Sequence, residues 1–302
     1  MKFLRKREFQ NYITMANLKE IRNRITSIKS TMQITSAMKM VSAAKLKKAQ
    51  DAITAMRPYS SKLTELLQNL SATLDSDAGG IYSIQREVSK VLVVTITSNR
   101  GLCGGFNSSI TKQVLKTVEE KYSAVDVDLF TIGKKGGDLL SKQFNIAGTN
   151  NDIFDDLTFD NVAAIAEELM NLYAEGTYDK IDIVYNQFKN AATQIPQVEQ
   201  FLPIKSIEGG DPNAVNSDYI FEPSKLEIVE ALIPKSLKTQ LYKSIRDSFA
   251  SEHGARMTAM HKATDNATEL RDELLLTYNK ARQAAITNEI LEIVGGAEAL
   301  NN

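Results

Sequence analysis

The chain has 302 residues, 43% hydrophobic and 24% charged, with 36 Lys+Arg against 37 Asp+Glu. That balance excludes global disorder, and apolar runs such as Val91 to Val94 fall far short of the roughly 18 to 20 residues of a membrane span, so no direct membrane span is expected. One cysteine, Cys103, excludes an internal disulfide, and two histidines, His253 and His261, leave no zinc cluster, so no metal is expected.

Glycine and proline end regular structure, and their distribution is uneven. Residues 1 to 78 hold no glycine and only Pro58; residues 235 to 302 hold no proline and only Gly254, Gly295 and Gly296. The N-terminal stretch predicts a helix over 16 to 70. Its stripe Leu18, Ile21, Ile25, Ile28 and Met32 alternates spacings of three and four, which suits a coiled-coil seam. Such a helix would be roughly 80 Å long, beyond the span of a compact domain.

The middle of the chain alternates. Val88 to Thr97 (VSKVLVVTIT) reads as a strand covered on both faces. A glycine-rich turn follows, then a helix over Ile110 to Tyr122, a strand over Val125 to Ile132, and a glycine turn at Gly133, Gly136 and Gly137. Asn161 to Ala174 reads as a helix and Lys180 to Phe188 as a strand, while Pro196, Pro203, Pro212 and Pro223 mark edge segments and the exit. This alternation predicts a mainly parallel sheet with helical crossovers.

The C-terminal stretch predicts a second helix, over 225 to 298 and roughly 110 Å long. Its stripes are Ile233, Leu237, Leu241, Ile245, Phe249 and then Ala267, Leu270, Leu274, Tyr278, Ala281, Ala285, expected to pack in the coiled coil. The fold class is therefore α/β plus coiled coil, a small α/β domain inserted between two long helices.

Charge is segregated. Residues 1 to 57 hold 13 basic and 3 acidic side chains, residues 58 to 223 hold 13 and 23, and the rest hold 10 and 11. The basic N-terminal helix calls for an acidic partner surface, although the Lys45 to Lys48 run by itself reads as a solvated face.

No catalytic constellation emerges. The segment Ser98 to Phe106 (SNRGLCGGF) follows a strand and precedes a helix, where α/β domains bind phosphate. Gly101, Gly104 and Gly105 nevertheless lack the dinucleotide spacing, although Asp126 and Asp128 fall where a ribose acid would be sought. Gly133 to Asp138 lacks the Lys-Ser/Thr of a Walker loop and reads as a turn. Cys103 reads as a small structural residue and not a nucleophile. His253 and His261 are two turns apart and read as solvated or flanking positions. Glu289 and Glu292 share a helix face without an evident cleft.

Ile286 to Ala299 (ITNEILEIVGGAEA) resembles the C-terminal signature of the gamma subunit family of rotary F-type ATP synthases, with Ile286, Thr287, Glu289, Glu292, Gly296 and Ala297 all in place. Ile34 to Gln50, SNRGLCGGF and Ser251 to Ala267 resemble that family too, so the likeness covers residues 16 to 300. It implies an antiparallel two-helix coiled coil with an inserted Rossmann-like α/β domain, arranged as an N-terminal helix over 15–75, a central domain over 76–223 and a C-terminal helix over 224–302. It also implies a proline-free rod, in which Gly254 replaces a more usual alanine at a local cost of about 1 kcal/mol. Residues 1–14 have no counterpart in the family's usual start, which resembles Met15-Ala16-Asn17-Leu18. A misplaced start or short tail is expected there, with a mitochondrial presequence as the competing reading.

By resemblance the chain is the central rotor shaft of the proton-translocating synthase, a non-catalytic subunit without cofactor. The implied partners are the alpha and beta subunits around the shaft, the epsilon subunit and the c-ring, with delta, a and b elsewhere in the complex. Met38 and Lys39 would touch acidic levers of the beta subunits, and Arg282, Gln283 and Thr287 would meet the catalytic-subunit loops. The chain lacks the cysteine-pair insertion of chloroplast relatives, so a bacterial type is expected, peripheral to the cytoplasmic face of the inner membrane. The basic N-terminal segment leaves a nucleic-acid-binding coiled-coil protein as the alternative.

Overall fold

The computed structural model describes residues 2–71, 80–204 and 224–300. In chain order the elements are helix α1 (Lys2–Ser71), strand β1 (Lys90–Ile96), α2 (Phe106–Lys121), β2 (Asp126–Ile132), α3 (Lys134–Leu140), β3 (Asn145–Asn150), α4 (Phe159–Ala174), β4 (Lys180–Phe188), β5 (Gln194–Leu202) and α5 (Lys225–Leu300). The chain divides into two units: the α1 portion up to Val41 with the α5 portion from Ala259, and Ser42–Thr258. The expected boundary at 75–76, and Pro212 and Pro223, lie outside the described residues.

The second unit is built on a five-stranded sheet of order β3-β2-β1-β4-β5, in which only β5 runs antiparallel. Strand β1 is buried on both faces because its side chains alternate between two cores. Leu92, Val94 and Ile96 pack with Val162, Ile165 and Leu169 of α4 and with Ile233, Leu237, Leu241 and Ile245 of α5. Val91 and Val93 pack with Ile110 and Val114 of α2 and Leu140 of α3. The stripe from Ile233 to Ile245, expected to serve the coiled coil, thus packs onto the sheet. A helix stripe cannot tell another helix from a sheet as its partner, since both offer an apolar surface.

The glycine turn at Gly133, Gly136 and Gly137 is also corrected. Only Gly133 turns, at φ +97°, and α3 begins after it. Any side chain at Gly133 would collide with the Thr97 carbonyl, and one at Gly136 would press on Thr97 Oγ1, so both glycines admit a close approach to β1. Strands β3 and β5 lacked a hydrophobic signal because both lie at sheet edges. Pro196 sits in β5, opposite Asn186, where an edge tolerates a missing N–H.

In this unit α1 and α5 also meet directly. Leu46, Ala49 and Ile53 form a buried cluster with Ala250, flanked by Phe249 and Met257. The long helices are not proline-free: α1 contains Pro58 and α5 contains Pro234, both in this unit.

The first unit is a pair of helix segments without proline. Along α1, Leu18, Ile21, Ile25, Ile28, Met32 and Thr35 are buried or half-buried; along α5, Met260, Thr264, Ala267, Arg271, Leu274, Tyr278, Ala281 and Ala285 are. Both sets alternate spacings of three and four, the heptad of a coiled coil. Leu270, expected in the seam, is 47% exposed, and Arg271 takes its place. Steps of four and three from Ala267 reach Arg271 and Leu274, so the period overrides the hydrophobicity of a single residue.

Candidate functional site

The carboxyl ends of β1 and β4 flank the point where the strand order reverses, the usual ligand crevice of an open α/β sheet. Here the loop Ser98–Phe106 folds back on itself. Asn107 Oδ1 accepts from the Ser98 amide at 3.0 Å and Ser98 Oγ donates to the Arg100 carbonyl at 2.7 Å. Asn186 of β4 donates to the Phe106 carbonyl at 3.0 Å, and Ser109 donates to Asn186 Oδ1 at 3.2 Å. Cys103 is buried beside Phe106 and Ala255 and receives a hydrogen bond from Asn107 Nδ2 at 3.3 Å, as suits a structural residue.

Helix α5 packs against this loop and β4. Ser251 Oγ donates to the Asn186 carbonyl at 3.0 Å. Arg256 donates through Nη2 to the carbonyls of Arg100 at 3.0 Å and Gly101 at 3.2 Å, and its Nη1 binds Glu252 Oε1 at 2.6 Å. Both charged side chains are 9% exposed. Burial raises the Glu252 carboxyl above its ordinary range, although Arg256 and Lys45 of α1 pull it the other way. The Ser98 amide, one of the donors a phosphate would meet at this edge, is thus taken by Asn107.

Sequence reasoning missed this arrangement. His253, expected at a solvated or flanking position, is 5% exposed and meets Phe249 edge-on at 4.5 Å between centroids. Burial, with the charges of Arg256 and Lys45 adding to it, pushes the imidazole down to about 3. Gly254, expected as a cost, is a packing site: a β-carbon there would lie 3.2 Å from Ala191 Cα and 3.3 Å from the Ala191 carbonyl oxygen in the β4–β5 turn. Leu102 has φ +60° and is 64% exposed, a bulky side chain held in a left-handed conformation. No pattern in the sequence marks the roles of His253 and Gly254, because each depends on what α5 meets in the fold.

The expected contact residues lie on the first unit. Met38 and Lys39 are half-buried on α1, whereas Arg282, Gln283 and Thr287 are exposed on α5. The cross-helix bonds Thr35 to Thr264 and Arg22 to Tyr278 fix the antiparallel register, and it puts Lys39 near His261 and Arg282 near Leu18. The two groups are therefore about 30 Å apart along the axis, two levels and not one site. Beyond Arg282, α5 carries Ile286, Ile290, Leu291, Ile293 and Val294, each at least 48% exposed. His261 is exposed and 3.3 Å from Asp265, and Glu289 is exposed. The basic face of α1 is partly matched within the helix, by Arg24 to Glu20 at 3.0 Å and Lys47 to Asp51 at 2.9 Å. Among the described residues no cluster of His, Cys, Asp and Glu could hold a metal ion and no helix is long and apolar enough to cross a membrane.

Comparison with known proteins converges on one family. A family model described as ATP synthase matches residues 17–300. The ATP synthase gamma chain of Flavobacterium johnsoniae is 72% identical over 287 residues, covering 95% of this chain and 100% of the relative, and that of Cytophaga hutchinsonii is 54% identical over 95% of this chain and 100% of its own. Among solved structures, a chain in the central stalk and c-ring of Tetrahymena thermophila mitochondrial ATP synthase superposes with a TM-score of 0.58 at 27% identity, covering 76% of this chain and 99% of that one. A chain in the rotor of Euglena gracilis mitochondrial ATP synthase gives 0.66 at 23% identity, covering 90% and 99%, a likeness of fold. The family model over residues 17–300 and curated relatives aligned over 95% of the chain place it in the ATP synthase gamma chain family.

Proposed function

We propose that the chain is the central rotor shaft of a bacterial F-type ATP synthase, coupling rotation of the c-ring to ATP synthesis at the beta subunits, and the reverse. The observation that carries this reading is the family membership of nearly the whole chain, together with an α5 whose apolar residues from Ile286 to Val294 are exposed. An exposed apolar helix end implies an enclosing partner. Alpha and beta subunits surround that end, while epsilon and the c-ring bind the α/β unit, and delta, a and b complete the assembly.

The subunit performs no chemistry of its own. The loop at the sheet's carboxyl edge supports that reading, because its Ser98 amide is held by Asn107 and its Arg100 carbonyl by Arg256, which makes the loop a packing element against α5. Met38 and Lys39 meet the beta-subunit levers at one level, and Arg282, Gln283 and Thr287 meet the catalytic-subunit loops at another. Long-range attraction between a basic helix and acidic levers suits a shaft that must leave each stator position in turn. The N-terminal helix, central domain and C-terminal helix divide at about residues 75 and 223, and residues 1–14 are an addition to the shared body. The complex lies on the cytoplasmic face of the inner membrane, the chain being peripheral.

The test is co-purification from the native membrane through a C-terminal tag, with a bead fixed to the α/β unit. Recovery with three alpha and three beta subunits and rotation of the bead during hydrolysis are expected. Recovery alone, or with nucleic acid that salt removes, overturns the reading. Met38→Lys adds a charge at the lever and weakens coupling; an unchanged number of protons pumped per ATP would refute that assignment.

A further inference from the structure

On the α1 side the seam of the first unit is aliphatic from Leu18 to Ile28 and turns polar at Thr35, while the α5 side sets Arg271 and Tyr278 among Ala267, Leu274 and Ala281. On α1, Leu18 and Ile25, and Ile21 and Ile28, are one heptad apart, so a slip by one heptad, about 10.5 Å, would exchange branched aliphatic residues for one another at those positions. Apolar layers of this kind hold two helices together without choosing among registers. A polar layer chooses, because its hydrogen bond exists in one register only.

Two seam contacts among the described residues are of this kind: Arg271 Nη1 reaches Met32 Sδ at 3.9 Å, a long bond to a weak acceptor, and a shorter one joins two hydroxyls. Thr35 Oγ1 lies 2.8 Å from Thr264 Oγ1 across the seam, and Thr35 is 8% exposed. Thr264 Oγ1 is also 2.8 Å from the Met260 carbonyl, and Thr35 Oγ1 is 3.2 Å from that of Met32. Each hydroxyl has one proton. Thr264 therefore donates along its own helix at the shorter distance, and Thr35 donates across to Thr264. The result is a directed chain from α1 through Thr264 to the α5 backbone. The Arg22 to Tyr278 bond at 2.6 Å agrees with the same register but is exposed, and exposed polar pairs discriminate weakly.

We propose that the Thr35–Thr264 pair is a register pin, a buried polar joint that prevents axial slip of α1 against α5 within the first unit. The register claim stands on this geometry alone. Only its consequence rests on the shaft reading: a rotor whose helices slip would lose torque as shear.

The test measures register directly in the full chain assembled with its complex, in a Cys103→Ser background. Continuing from Thr35–Thr264, the pairing places Met32 opposite Ala267, so Met32→Cys with Ala267→Cys reports the native register; Met32→Cys with Leu274→Cys reports a one-heptad slip. With both threonines present, oxidation should trap the native pair and leave the slipped pair at background. In Thr35→Val/Thr264→Val, which keeps the β-branched shape, slipped trapping should rise roughly fivefold, the worth of one buried hydrogen bond. Thr35→Ser/Thr264→Ser should restore the background. Should the valine pair fail to assemble, Thr35→Val alone carries the same expectation, since Thr264 keeps its bond to Met260. Unchanged slipped trapping in the valine variants, or a rise that serine does not reverse, overturns the pin. Protons pumped per ATP, measured in parallel, read the shaft assignment separately.

Discussion

Lowering the pH should strain the core at one identifiable histidine. His253 is buried against Phe249, with Arg256 and Lys45 as neighbouring positive charges, and Glu252 on the same helix is already bound by Arg256. Its Nδ1 has no hydrogen-bond partner among the described residues. A proton on the imidazole would bring a charge into a site that burial and two cations already oppose. The folded value is about 3 against 6.5 for the ordinary side chain. A histidine depressed in this way leaves stability untouched above pH 6.5 and lowers it as pH falls from there towards 3, because the unfolded chain takes the proton first. At pH 5 the gap below 6.5 is 1.5 units, about 2 kcal/mol at roughly 1.4 kcal/mol per unit. His253→Gln removes the titration while keeping a polar side chain. Urea unfolding of both proteins at pH 7.5 and pH 5 isolates the term, since other titrating groups cancel in the difference. The parent should lose about 2 kcal/mol more than the variant between the two pH values. Equal losses would mean that the imidazole reaches water or a partner on protonation, and would refute the reasoning.

Glu252 carries the opposite sign. Its carboxyl is raised by burial, so the folded chain holds that proton more tightly, and stability should fall as pH rises from the ordinary carboxylate range through the folded value; Glu252→Gln should flatten this slope in the same titration. Arg256→Ala leaves Glu252 and the Gly101 carbonyl without the donor Arg256 supplies, and leaves the Arg100 carbonyl with Ser98 Oγ. It should cost about 3 to 5 kcal/mol and speed amide exchange through residues 98–106; exchange at the parent rate would sink the idea that Arg256 holds the loop. Gly254→Ala gains about 1 kcal/mol of helix propensity but presses on a turn whose Ala191 carbonyl already accepts from Thr258 and Gln194. A net loss of up to about 2 kcal/mol is expected by denaturation, and a more stable variant would show that the turn yields. Tyr122→Phe strips Asp182 of its donor at 2.5 Å in the buried core and should cost about 2 to 3 kcal/mol in the same assay.

Much of the architecture was legible because it rests on periodic burial. The heptad stripe Leu18 to Met32 and the continuous β-branched run of β1 each declare how many faces they bury, one for the first and two for the second. The C-terminal signature from Ile286 likewise needed only sequence. Edges were harder to read: β3 (NIAGTN) has exposed alternate residues and little hydrophobic content, so nothing marks it until β2 lies beside it.

What the amino-acid order determined by itself was the kind of each long element and the family to which the chain belongs, since local period, breakers and a spaced motif survive without any knowledge of neighbours. What the tertiary structure alone decided was the partner of each face. It sent the Ile233 to Ile245 stripe to the sheet, moved Leu270 out of the seam in favour of Arg271, buried His253, and turned Gly254 into a contact with Ala191. Hydrophobicity measures only the gain from leaving water and is silent about direction. Which surface receives a residue is set by packing between segments far apart in sequence, and there the roles of Glu252, Arg256 and Thr35 are fixed.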